Sequence, residues 1–202
     1  MRTANELALL FAEIEDPKRS SADRQNVLAR RLRHFSQAGL IKSTGQPRDK
    51  RGTEQFDIEA ACAARILSEC ADFGIVGELL RDVAERLAPK ATGTLEGRTP
   101  DGQRFSKPYW GEPTEKNTVP PANHIAHLPA RIASGDKWEL RLRLMVQYSH
   151  RSLSGGLCPA GDVETAVPEW AVVLKHQNIR QVGQITFDVS ELCGPLVATF
   201  EA

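Results

Sequence analysis

Pro100, Pro108, Pro113, Pro120 and Pro121 fall inside a stretch, residues 88–135, that is also rich in glycine and threonine. Proline removes a backbone donor and clashes with the preceding helical turn, so no long helix can run through the middle of this chain. The sequence must therefore join two textures across an irregular connection. With 202 residues, 41% of them hydrophobic and 26% charged, there is enough apolar material for an ordinary core. That composition excludes disordered, collagen-like and disulfide-scaffold classes. The widely spaced Cys62, Cys70, Cys158 and Cys193 fit reduced thiols better than a disulfide framework.

Before residue 88 the apolar period is helical. Leu7, Leu9, Leu10 and Phe11 lie in a short amphipathic segment, Glu6 to Ile14, that ends before Asp16-Pro17. Ser21 is placed to cap a second helix, about 22–37, with Val27, Leu28, Leu32 and Phe35 as its inward stripe. Gly39 stops it. Leu40-Ile41-Lys42 then reads as a short strand, residues 43–52 as a basic turn, and Thr53 to Phe56 as a returning strand. Asp57 caps a third helix, Ile58 to about Asp72, and Val76 to Leu87 forms a fourth.

After residue 135 the pattern changes to a period of two. Trp138, Leu140, Leu142, Leu144, Val146 and Tyr148 alternate with Glu139, Arg141, Arg143 and Gln147, as expected of a half-buried antiparallel strand. Trp170–Leu174, Gly183–Val189 and Leu196–Phe200 are further strand expectations. The predicted fold class is α+β, an N-terminal winged helix-turn-helix followed by a β-rich C-terminal domain. Its divisions are 1–88, a connecting segment 89–135, and 136–202.

The formal net charge is zero, which on its face argues against a polyanionic partner. Residues 17–51, however, carry ten Lys and Arg against Asp23 and Asp49, and residues 52–89 carry three against eight acidic residues. A basic segment is followed directly by an acidic one, so the balance conceals a surface suited to nucleic acid. The second helix would project Arg24, Gln25, Arg30, Arg31, Arg33 and His34 into a major groove, with Lys42, Arg48, Lys50 and Arg51 reaching phosphates from the wing.

The order of these parts resembles the MerR family of transcriptional regulators. The residues that carry the likeness are Arg31-Leu32-Arg33-His34-Phe35-Ser36-Gln37-Ala38-Gly39-Leu40-Ile41, then Arg51-Gly52-Thr53-Glu54-Gln55-Phe56-Asp57-Ile58, and Ala71-Asp72-Phe73-Gly74-Ile75. The likeness covers about residues 5–88. It implies that Arg33 stands where the family's arginine binds backbone phosphate, and that His34 and Phe35 stand where the family has two tyrosines. The chain departs from the pattern in a longer first turn, in Gly-Thr-Glu where the wing has Gly-Tyr-Arg, and in a fourth helix too short for the family's dimerisation coiled coil.

These readings converge on a cytoplasmic, sequence-specific regulator of double-stranded DNA, acting as a homodimer. The apolar side of Val76–Leu87 and the strand Trp138–Tyr148 are the expected interfaces. The alternative is an excisionase-like or phage assembly accessory protein whose C-terminal domain binds a protein. Tyr109, Trp110, Trp138 and Trp170 could line an effector pocket or anchor a core. No cofactor, metal or catalytic set is expected. Cys62 reads as core, the His124–His127 pair lacks acidic or thiol companions, and His150, Ser152, Ser154 and Cys158 are close only in sequence. No apolar run approaches the length of a membrane helix, and Met-Arg-Thr-Ala-Asn-Glu does not read as a signal peptide.

Overall fold

A computed structural model describes residues 1–15, 21–43, 54–99, 103–147, 150–161 and 179–201. The fold is mixed α and β. Helix α1 (Ala4–Glu15) opens with a reciprocal cap, in which Thr3 N–H donates to Glu6 Oε2 at 2.6 Å and Glu6 N–H donates to Thr3 Oγ1 at 3.3 Å. Helix α2 (Ala22–Gln37) begins as expected, its Arg24 N–H donating to Ser21 Oγ at 3.2 Å. Leu28, Ala29, Leu32 and Phe35 are buried, in one core with Leu7 and Phe11 of α1. Burying each large member of that stripe contributes about 1.5–3 kcal/mol.

Two expectations fail here. Val27 is 47% exposed, because it lies about 100° around the helix from Leu28 and points away from α1. The predicted strand at Leu40–Lys42 is also absent. Strand β2 (Gln55–Phe56) pairs instead with β1 (Arg2–Thr3), antiparallel, with Arg2 opposite Phe56 and Thr3 opposite Gln55. The N-terminus has taken the partner's place, and Leu40 and Ile41 serve as a packed turn after Gly39, whose φ is +69°.

Helix α3 (Ile58–Asp72) starts at Asp57, whose carboxylate accepts the Ala60 N–H at 2.8 Å. Every residue from Ala60 to Ser68 is buried, so this helix is covered on all sides. Helix α4 (Glu78–Leu87) follows, with Leu80, Val83, Ala84 and Leu87 inward, whereas Val76 is exposed and precedes the helix.

The middle segment is more regular than its prolines suggested. Strands β3 (Gly93–Arg98) and β4 (Arg104–Tyr109) form an antiparallel ribbon, and short 3-10 turns lead to helix α5 (Leu128–Ala133). Strands β5 (Trp138–Gln147), β6 (His150–Pro159) and β7 (Ile179–Asp188) make an antiparallel sheet in the order β6-β5-β7. Trp138, Leu140 and Leu142 are buried as the alternation required, and the β5–β7 register shifts at Leu144/Met145. There Leu144 pairs with Gly183 and Met145 with Gln181, leaving Val182 of β7 as the extra residue of a bulge. Leu144, half-buried, still packs against the core, and Met145 is buried outside that cluster. Tyr148 and Trp170–Leu174 lie outside the described residues.

Leu196–Phe200 is not a strand. Helix α6 (Val189–Glu201) buries Val189, Cys193, Leu196 and Val197, a spacing of four, three and one that only a helix aligns. Pro195 in its interior hid that period from a sequence reading. Helix α6 packs on α3 and α5, and buried residues of the stretches 1–88 and 136–202 join a single cluster. The sides of α4 and β5 expected to mediate dimerisation are both occupied within the chain. Helix α4 packs on β6, and β5 lies between two strands with its apolar face in the core. Among the described residues no helix is long and apolar enough to cross a membrane.

Candidate nucleic-acid interface

Helix α2 presents an outward face of Asn26, Val27, Arg30, Arg33, His34 and Gln37, all exposed. From Asn26 to Gln37 it extends roughly 16 Å at 1.5 Å per residue, enough to lie along a major groove about 12 Å wide. Arg30 is exposed and has no ion pair or hydrogen bond among the described residues. Arg33 Nη2 donates to Asn5 Oδ1 at 2.7 Å, which steers its guanidinium toward the start of α1. His34 is exposed at the mouth of a groove of about 610 Å³, lined also by Ala38, Leu40, Glu78, Leu80 and Asp82.

The remaining arginines of α2 are committed elsewhere. Arg24 Nε donates to Glu15 Oε2 at 2.8 Å and its Nη2 to Asp72 Oδ2 at 3.3 Å. Arg31 Nη2 donates to Asp72 Oδ1 at 2.8 Å and its Nη1 to the Ser68 carbonyl at 3.2 Å. Positions 24 and 31 are two turns apart on the helix, so both side chains face the end of α3. The hydrogen bond from Arg31 is the main reason the Asp72 carboxyl titrates below its ordinary value, and the bond to Glu15 is the main reason Arg24 titrates above its own. These two cations brace the helix against α3 instead of facing outward.

A second brace is more deeply set. Arg65, 6% exposed, donates to Glu15 Oε1 at 2.6 Å, lies 3.7 Å from Glu69, and sits over the Phe11 ring. Glu15 thus joins the end of α1 to both α2 and α3.

Of the ten sequence-predicted residues, the structure brings Arg30, Arg33 and His34 onto one exposed face, turns Arg24 and Arg31 inward, and leaves Gln25 half-buried. Lys42 is exposed beyond the packed Ile41. Arg48, Lys50 and Arg51 lie outside the described residues. Residues the prediction missed are Val27 on the outward face and Asn5, which orients Arg33. The signal for Val27 was its angular position, not its hydrophobicity.

Chemically, the face offers guanidinium forks that match guanine O6 and N7 or a phosphate, and amides that match adenine N6 and N7. A valine methyl can meet a thymine methyl. For metals the chain offers less. His124 Nδ1 accepts the Ala126 N–H at 3.0 Å, and burial pushes that histidine's pKa down. His127 Nε2 lies 3.0 Å from the Pro120 carbonyl, and Cys62, Cys70 and Cys193 are buried. Among the described residues no three His, Cys, Asp or Glu side chains gather as metal ligands.

Comparison of the chain with models of protein families, with characterised proteins and with solved structures finds no match.

Proposed function

We propose that this chain is a cytoplasmic, sequence-specific DNA-binding regulator whose α2 enters the major groove as the recognition helix of a MerR-like winged helix-turn-helix. The observation that carries the reading is the division of labour on α2. One side is braced by Leu28, Leu32 and Phe35 and by the ion pairs of Arg24 and Arg31, while Asn26, Val27, Arg30, Arg33, His34 and Gln37 stand free of the core. A helix held this firmly, with base-reading side chains outward, suits direct readout. Arg30 reads bases, Arg33 holds phosphate, and Lys42 with Arg48, Lys50 and Arg51 contacts the flanking backbone. Two copies bind a two-fold site.

Selection of bound duplexes from a random pool tests the reading. It should return a motif, and Arg30→Ala should relax preference at one or two positions while Arg33→Ala weakens all sites alike. A pool that returns no enriched motif would overturn specific recognition.

A further inference from the structure

Helices α1 and α2 run antiparallel, pinned near both ends by an arginine of α2. At one end Arg24 Nε donates to Glu15 Oε2 at 2.8 Å, and at the other Arg33 Nη2 donates to Asn5 Oδ1 at 2.7 Å. The two pins differ in charge. Arg24 and Arg31 are held by the carboxylates of Glu15 and Asp72, which offset the field those cations would project into solvent. Arg33 is held by a neutral amide and has no ion pair among the described residues. Glu6, the acid beside Asn5 in sequence, accepts the Thr3 N–H at 2.6 Å. A guanidinium carries donors only, so a side chain that fixes it without neutralising it must offer an uncharged acceptor, as the Asn5 carbonyl does.

Fold stability alone favours the opposite choice. Asn5 lies in the first turn of α1, where the helix dipole stabilises a carboxylate, and an aspartate at that position would also pair with Arg33. Asparagine forgoes both gains. It leaves the full charge of an oriented guanidinium on the exposed face shared with Arg30 and His34. A guanidinium already held in one direction loses less side-chain freedom when it meets a phosphate, and its planar fork keeps a second pair of donors for that contact.

We infer that Asn5 is a positioning residue for the DNA contact of Arg33, aiming the guanidinium at a backbone phosphate while leaving its charge uncompensated. The inference rests on the reading of α2 as a DNA-binding helix.

The test is fluorescence anisotropy of the full chain with a labelled random-sequence duplex about three helical turns long, over a salt series. Each phosphate contact adds about 0.9 to the slope of log K against log salt. Asn5→Ala frees the guanidinium but keeps its charge, so affinity should fall about three- to tenfold with the slope unchanged. Asn5→Asp holds the guanidinium and neutralises it, so the slope should drop by about 0.9 and binding should weaken more than in Asn5→Ala. Its melting temperature should equal or exceed the parent's, which separates the binding loss from any loss of fold. Adding Asn5→Ala to Arg33→Ala should change nothing further, because the side chain acts through that arginine. Parent-like affinity and slope in both Asn5 variants, with Arg33→Ala impaired, would overturn the positioning role and leave the α2 reading intact. An equal loss from Asn5→Ala with and without Arg33 would also overturn it. A parent chain that binds no duplex at low salt overturns the α2 reading and this inference with it.

Discussion

Asp72, the last residue of α3, accepts a hydrogen bond from Arg31 of α2 at 2.8 Å, and the same carboxylate takes a second from Arg24 at 3.3 Å. Two of the cations that make the second helix look like a polyanion site in sequence are thereby spent inside the molecule. The net positive character of the outward face rests on Arg30 and Arg33, with Lys42 beyond the helix end.

Asp72 gives the head a pH-dependent brace. Its folded pKa lies below the ordinary carboxylate value, so its contribution is present above that value and is lost as pH falls through the folded pKa. The side chain is 36% exposed, which limits the gain to about 0.5–1 kcal/mol. Asp72→Asn should lower stability by about that amount at neutral pH. In urea unfolding the gap between variant and parent should narrow steadily as pH falls below the ordinary carboxylate range. A gap that stays constant through that fall would mean that the ion pairs do not carry the effect.

Glu15 stabilises chiefly through Arg65. Removing its carboxylate leaves a 6%-exposed guanidinium with only Glu69 at 3.7 Å, whereas removing Arg24 leaves Glu15 still paired. Stranding a buried charge costs several times more than losing a half-exposed pair. Glu15→Ala should therefore cost about 3 kcal/mol and Arg24→Ala under about 1 kcal/mol. Equal midpoint shifts in urea would refute that ordering.

Gly155 on β6 has φ +107°, and a Cβ there would stand 2.1 Å from the Arg141 carbonyl oxygen across the ladder. The obstacle is backbone, which cannot swing aside. Gly155→Ala should lose about 3 kcal/mol or more and unfold well below the parent in a thermal melt. A melt within a few degrees of the parent would show that β6 can shift.

Thiol labelling of the native chain should be confined to Cys158. Cys62, Cys70 and Cys193 are buried, and burial pushes the Cys70 thiol up to about 12, so almost no thiolate is present at neutral pH. All four should react after denaturation. Fast modification of more than one in the native state would indicate that α6 opens from α3.

Legibility in the sequence followed how local each determinant was. Ser21 and Asp57 cap helices with atoms three residues away, and both were readable. So was β5, whose alternation is a property of one strand. The capping pair Thr3 and Glu6 was equally local and went unread. Val27 and Leu28 are both apolar and adjacent, yet one residue turns a helix by about 100°, so only Leu28 is buried. The fates of Arg24 and Arg31 depend on Asp72, more than forty residues along the chain, and no periodicity within α2 encodes that partner. Strand β2 likewise chose the distant Arg2–Thr3 over its neighbour in sequence. The β3–β4 ribbon was missed because its prolines and glycines are turn-formers elsewhere, while here Gly93 and Gly97 seat aromatic rings.

Helix α3 has one more consequence, for anyone who would treat the first eighty-eight residues as a portable part. Its far side is closed by α5 and α6, with the Cys193 thiol against the Cys62 carbonyl at 3.8 Å. A chimera carrying only those residues would bare that alanine- and cysteine-rich flank to solvent. Moving residues 1–88 into another protein therefore means transplanting the tail along with them.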